Sequence, residues 1–235
     1  MPVVAHAATF VVNVPWDGVD ANPGDGVCET ASGNGNCTLR AAIMEANRTP
    51  GSIIYFCQTV TLSIPASGAD DEGTGDLNIV TSMSIIGGNP AAAVIDANGS
   101  VTHDRAIRVD AGVVNITAVT IRNGEAAFSD PTERQGGAIY VGPGGSVTLG
   151  GSFVVNNAAG LGGGLYVHGG HVTVVDSTVS RNRASTGGAL YKADGALTVR
   201  RSIVEANVAF EGGGIADSGD ISSMMLLADS AVIDN

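Results

Sequence analysis

Four Gly-Gly phrases return at almost constant spacing: GGAIY (136–140), GGGLY (162–166), GGALY (187–191) and GGGIA (212–216), with steps of 26, 25 and 25 residues. A second phrase follows each: SFVVNN (152–157), STVSRN (177–182), SIVEAN (202–207) and SAVIDN (230–235). Its closing asparagines, Asn157, Asn182, Asn207 and Asn235, step by 25, 25 and 28. Repeats of this length signal a stacked architecture, because one short unit cannot bury its own apolar side. Inside the unit the apolar pattern has a period of two. In HVTVV, Val172 and Val174 face one way and Thr173 and Val175 the other, with equivalents at Val147 and Leu149 and at Leu197 and Val199. Length changes gather in turns, in GPGG against HGG and within DSGDISS, while strands keep their length.

These features predict an all-β fold, a parallel β-solenoid over residues 60–235. Ile139, Leu165, Leu190 and Ile215 should form one interior column and Val154, Val179, Val204 and Val232 another. The asparagines should form a ladder at a bend, amide to amide. The slot after the aliphatic residue should face outward. It holds Tyr140, Tyr166, Tyr191 and Ala216. Stacked at about 4.8 Å, the tyrosines are expected as either a stabilising ladder or a stripe that binds sugar or protein. VNITAVTIRN (114–123) reads as an earlier copy of the second phrase, LNIVTSMSIIGG (77–88) and AAAVIDANGS (91–100) as strands of less regular coils, and GEAAFSDPTERQ (124–135) as an inserted loop.

Ahead of the repeats, residues 9–59 read as a cap. CTLRAAIMEAN (37–47) carries Leu39, Ala42, Ile43 and Ala46 at helical spacing, with Thr38 as N-cap. Laid over the first coil, such a helix would cover exposed strand edges. Cys28 and Cys37 flank a Gly/Asn/Ser loop that a disulfide would close, the alternative being that all three cysteines are reduced. Cys57, in the apolar run IIYFC, is expected to be a buried thiol. Ala5-His6-Ala7 matches a small-x-small cleavage pattern, so residues 1–8 are expected to be a signal remnant or a disordered start. The chain stops at Asn235 at the end of a repeat phrase, which is expected to be a truncation inside a longer solenoid.

FVVNVPWDGVDANPGDGVC…CTLRAAIMEAN followed by IIYF resembles the N-terminal CSLREA domain of bacterial exported β-helix proteins. The GGA-I/L and SxVxxN phrases, with FVVN at 153–156, are similar to the repeats of chlamydial polymorphic outer membrane proteins. The resemblance implies a pectin-lyase-like right-handed β-helix, exported to the bacterial surface. Where that family has Glu, this chain has Ala41, the third helical position of a capping box. Ala41→Glu is therefore expected to raise the melting temperature.

The net charge of −12, with 10 Arg and one Lys scattered along the chain, argues against a nucleic-acid partner. No apolar run approaches the roughly 20 residues of a membrane helix. Asp17, Asp20, Asn22 and Asp25 crowd oxygen atoms into a bent loop and are candidate calcium ligands, or simply turn formers; no other cofactor is expected. His168 and His171 in HGGH form a pair lacking a third metal ligand, and Asp176 and Arg201 occupy equivalent corners as a stacked ion pair. The outward slots show neither paired carboxylates nor a base with cations, so no catalytic residue is assigned. The expectation is a non-catalytic exported or cell-surface β-helix, a monomer or part of a longer chain, presenting a surface to an unknown protein or glycan. A polysaccharide lyase or hydrolase of the same fold, and a passive stalk, are the alternatives.

Overall fold

The structure is a computed structural model describing residues 7–67, 71–126, 134–218 and 224–235. It is a parallel β-solenoid with three strand-bearing faces. The first face stacks β4 (Leu77–Ile79), the leading part of β7 (Ile107–Thr117) and of β9 (Ile139–Gly150), then β11 (Leu165–Val167), β14 (Leu190–Lys192) and β17 (Ile215–Asp217). The second stacks β1 (Thr9–Val11), β2 (Ser52–Phe56), β5 (Met83–Gly87), the trailing parts of β7 and β9, β12 (His171–Val175), β15 (Ala196–Arg200) and β18 (Met224–Ala228). The third stacks β3 (Thr59–Thr61), β6 (Val94–Asp96), β8 (Thr120–Arg122), β10 (Phe153–Val155), β13 (Thr178–Ser180), β16 (Ile203–Glu205) and β19 (Ala231–Ile233).

Register follows the repeats. Leu165 lies between Ile139 and Leu190, with Ile215 next, and Ile107 extends the column backwards. Val154, Val179, Val204 and Val232 stack likewise, on Ile121 and Ile95. From Ile95 to Val204 and from Ile107 to Leu190 these side chains are fully buried, which is the hydrophobic term that holds the coils together. The Gly-Gly pair has two separate causes. Its first glycine takes φ of +58° to +67°, where L side chains are strained, and a Cβ on the second would lie 2.4 Å from the Arg183 and Gly188 oxygens in the case of Gly163.

The corners flanking the third face are built alike. A residue with φ near +50° (Gly151, Asp176, Arg201, Asp229) turns the chain into a serine, and another (Asn156, Arg181, Ala206, Asp234) turns it into an asparagine. The asparagine ladder forms as expected. Asn157, Asn182 and Asn207 each donate Nδ2 and the backbone N–H to Oδ1 of the next asparagine, at 2.8–3.2 Å, and are buried. A serine ladder, Ser152 to Ser177 to Ser202 to Ser230, runs beside it through N–H to Oγ bonds of 3.1–3.2 Å. The sequence reading missed it, although serine opens every second phrase. Both ladders supply partners for backbone groups that the bends take out of the sheets.

One inward column changes character. Val109, Val141 and Val167 are followed in register by Lys192 and Asp217. Lys192 has no exposed side-chain surface, and its Nζ lies 2.7 Å from Asp217 Oδ1. Aligning LYV with LYK and IAD would have revealed this pairing of a buried lysine with an exposed aspartate.

The helix α1 (Leu39–Ala46) starts at Thr38, whose Oγ1 accepts from Ala41 N at 3.0 Å and donates to Gly18 O. Every residue of α1 is buried, and its aliphatic side join the same core cluster as Phe10, Ile54, Leu77 and Ile85. The end-covering role is thus observed, but residues 9–59 are no separate unit, since β1 and β2 belong to the solenoid sheet. Ala41 is fully buried, which reverses the expectation for a glutamate there: the carboxylate would enter the core rather than reach back along a wet helix surface. Arg40 is also buried. It donates to both Asp17 oxygens and to the Glu72, Gly75 and Asp76 carbonyls, tying helix, loop and first coil together. Cys28 and Cys37 are disulfide-bonded; closing so short a loop contributes about 2–3 kcal/mol in the chain-entropy account. Cys57 is exposed rather than buried, because Ser52, Ile54 and Phe56 take the inward positions and position 57 has the opposite parity. A second helix, α2 (Gly99–Thr102), ends the segment read only as strand; Asn98 turns into it at φ +50°. Residues 1–6, most of the remnant at 1–8, lie outside the described residues, as do 127–133 of the inserted loop and 219–223 of DSGDISS.

Candidate functional site

The tyrosines stack in register. Ring centroids of Tyr140 and Tyr166 are 5.7 Å apart and those of Tyr166 and Tyr191 5.4 Å apart, with planes inclined by 13° and 4°. Arg108 caps the column, its guanidinium 4.7 Å from the Tyr140 centroid, and pairs with Asp110 at 2.8 Å. His168 shields the outer edge: its Nδ1 lies 2.9 Å from the Tyr140 hydroxyl, and its ring stands edge-on to Tyr140 and Tyr166. Tyr140 and Tyr166 are therefore buried, and Tyr191 alone is half-exposed. Burial pushes the Tyr166 hydroxyl up to about 12, with Tyr191 and Tyr140 adding to the effect. Of the two readings of the column, the stabilising ladder fits this geometry better: Tyr140 and Tyr166 are covered and Tyr166 is stacked on both faces, while Tyr191 stacks on Tyr166 alone.

The calcium candidates do not converge. Asp17 faces Arg40 and also accepts from the Ser63 and Ile64 N–H groups. Asp20 is buried and accepts from Asn22 N and Glu29 N, while Asp25 accepts from Val27 N. Their oxygens do turn and ion-pair work, and among the described residues no three His, Cys, Asp or Glu side chains are placed to hold a metal ion. Asp176 and Arg201 form the expected stacked pair, bidentate at 2.7 Å, which holds the Asp176 carboxyl below its ordinary range; both are exposed.

A concave polar site lies elsewhere, at the corner following the third face. An open cleft of about 360 Å³ is lined by residues of successive coils: Thr61, Asp96, Asn98, Ser100, Asn123, Glu125 and Asn156, with Gly99, Gly124 and Ala158. Its volume is within the range of small-ligand sites. Asn123 and Asn156 are exposed on equivalent corners, both with φ +58°, and the turn into α2 carries Asn98 and Ser100 to the rim. Asp96 is fully engaged. Its oxygens accept from Arg122 Nε at 2.9 Å, from Asn123 Nδ2 at 3.0 and 3.1 Å, and from Asn98 N at 3.1 Å. Glu125 is exposed, and its chain position is fixed by its N–H to Asp104 O at 2.9 Å. Among the described residues, the cleft offers one carboxylate, that of Glu125, with no hydrogen-bond partner, together with amide groups and hydroxyls, and its lining holds no Lys or Arg. Such a wall accepts hydrogen bonds more than it donates them, so it suits a neutral polyol and repels polyanions. Sequence reading missed this site. The available signal was the Asx/Gly-rich corners DANGS (96–100) and NGE (123–125), where the interval departs from 25.

Fold and cleft together define a parallel β-solenoid with a concave polar corner. No family model, curated protein or solved structure matches the chain. Among the described residues no helix is long and apolar enough to cross a membrane.

Proposed function

We propose that this is a non-catalytic, exported β-solenoid that presents its corner cleft to a neutral glycan. The observation that carries the reading is the acceptor-rich lining of the cleft around Glu125, which among the described residues holds no Lys or Arg. Asp96 is held by Arg122 and Asn123, which leaves Glu125 without the second working carboxylate that glycosidic cleavage needs. The Cys28–Cys37 bridge supports an oxidising compartment. The resemblance to CSLREA-type and polymorphic-outer-membrane-type sequences supports a bacterial surface location. The rigid stack of coils supports a presenting role, since it holds the rim residues on fixed corners.

The test is a glycan array followed by calorimetry with the hits, using wild type, Glu125→Ala and Asn123→Ala, with reducing-end release assayed on the same glycans and on polyuronates. Neutral glycans should bind, polyuronates should not, and Glu125→Ala should weaken binding at least tenfold with an unchanged melting temperature. Glu125-dependent cleavage would replace this reading with the enzyme, and an array without hits would leave the stalk.

A further inference from the structure

We infer that the outer side of the second face is where two copies of this chain pack against each other, a role separate from the cleft. Parity sets which residues look outward there. Ile54, Ile85 and Ile116 are fully buried, so the alternate positions, Tyr55, Ile86 and Thr117 among them, face away from the core. All the outward residues are half-buried or exposed, so no other described segment covers them. Among the described residues, the outward positions from β1 to β12 hold no Asp, Glu, Lys or Arg; Arg200 on β15 is the first. In their place stand apolar side chains, Ile53, Tyr55, Ile86, Val113 and Val175, and a row of hydroxyls at Thr148, Thr173 and Thr198. Tyr55 is 41% exposed although it has Val11 and Ile86 beside it in register, so its exposure is that of an outward side chain and not of a sheet edge. The other two faces differ. Arg108 and Asp110 look outward from the first, and Asp96, Arg122 and Glu205 from the third. On a chain of net charge −12, a strip without charge is not the general character of the surface.

Charge and area select the occupant. A basic or acidic partner finds no counter-charge on the strip. An anionic surface is repelled by the net charge, with no Lys or Arg among these outward positions to oppose it. A second copy brings a matching uncharged strip, and two sheets with β-branched outer residues pack face to face at about 10 Å. A two-fold axis through the strip places the same residues on both sides of the contact. Asp110 and Asp194, on the turn before the strip, then stay at the rim, as does Asp176, which is already paired with Arg201 on the corner after it. The seven strands from β1 to β15, about 4.8 Å apart and about 17 Å long, present a flat area of about 570 Å², so a pair buries roughly 1,100 Å², the low end for specific interfaces.

The experiment is sedimentation velocity on the whole chain, with the exposed Cys57 thiol capped by iodoacetamide so that no disulfide between copies can supply the dimer. At about 100 µM the dimer should dominate and at about 0.1 µM the monomer, as an interface of this size implies. Raising the salt should strengthen association, because it screens the repulsion between two chains of charge −12 while the strip has no ion pairs to lose. Thr148→Arg, at a half-exposed position in the strip, should weaken the dimer at least tenfold with an unchanged melting temperature. Thr178→Arg makes the same change in net charge on the outward side of the third face and should leave the dimer intact. Should Thr148→Arg not fold, the salt series on wild type decides. A wild type that stays monomeric, association that weakens as salt rises, a dimer indifferent to Thr148→Arg, or one lost equally to Thr178→Arg would each overturn the inference.

Discussion

Asn182 sits in the middle of the interior ladder, and its replacement by alanine tests the account of the corners most directly. Its Oδ1 accepts from the Asn157 N–H at 3.0 Å and from Asn157 Nδ2 at 2.9 Å; its Nδ2 donates to Val154 O and Asn207 Oδ1, each at 3.0 Å. Alanine removes all four bonds. Asn157 Nδ2 keeps the Val155 carbonyl, and Asn207 Oδ1 keeps the Asn182 N–H. The Asn157 N–H loses its Oδ1 partner in a place where Asn157 and Asn182 are both buried from water. An orphaned buried donor costs about 1–3 kcal/mol and each of the three other lost bonds about 0.5–1.5, so the expected loss is about 2.5–7.5 kcal/mol. Equilibrium urea unfolding should show it as a lower midpoint with little change in slope. Asn182→Asp keeps the acceptors and loses both donors. Its carboxylate would face two carbonyl-type oxygens, so its folded pKa must lie above the unfolded value. That variant should be nearest to wild type at pH 3–4 and should lose stability as pH rises towards 7. A cost below about 1 kcal/mol for Asn182→Ala, or pH-independent destabilisation by Asn182→Asp, would refute the reasoning.

Three further outcomes are expected. Tyr166 should titrate near pH 12 in absorbance at 295 nm, against an ordinary value of 10.0; because the folded value is raised, its stability contribution is whole below pH 10 and is lost as pH climbs towards 12, and Tyr166→Phe should flatten that loss. Ala41→Glu should lower stability by about 2–4 kcal/mol, since it overfills a buried site and strands a charge there, and a higher melting temperature would restore the capping-box expectation. Arg40→Ala should cost about 3–5 kcal/mol by leaving Asp17 charged and buried, measured by denaturant unfolding of the intact chain.

The repeat alone determined the coil length, the parallel stacking, the register of Leu165 on Leu190 and the asparagine ladder. Each follows from a local rule that every coil obeys: glycine where φ is positive or a Cβ has no room, aliphatic residues at alternate positions, and a polar side chain at the bend. Thr38 and the spacing of Leu39, Ala42, Ile43 and Ala46 made the capping helix legible for the same reason. What escaped the sequence depended on neighbours. The tyrosine slot faces outward by parity, and only the placing of His168 and Arg108 shows that the rings are covered. Asp17 resembles a calcium ligand until the helix delivers Arg40 to it. The cleft is made by non-repeating corners brought together from Thr61 to Ala158, so no single stretch encodes it. Periodicity reports what each residue contributes to its own coil. Burial, charge pairing and concavity are set by which coils lie beside it, and those became definite only once the chain had stacked.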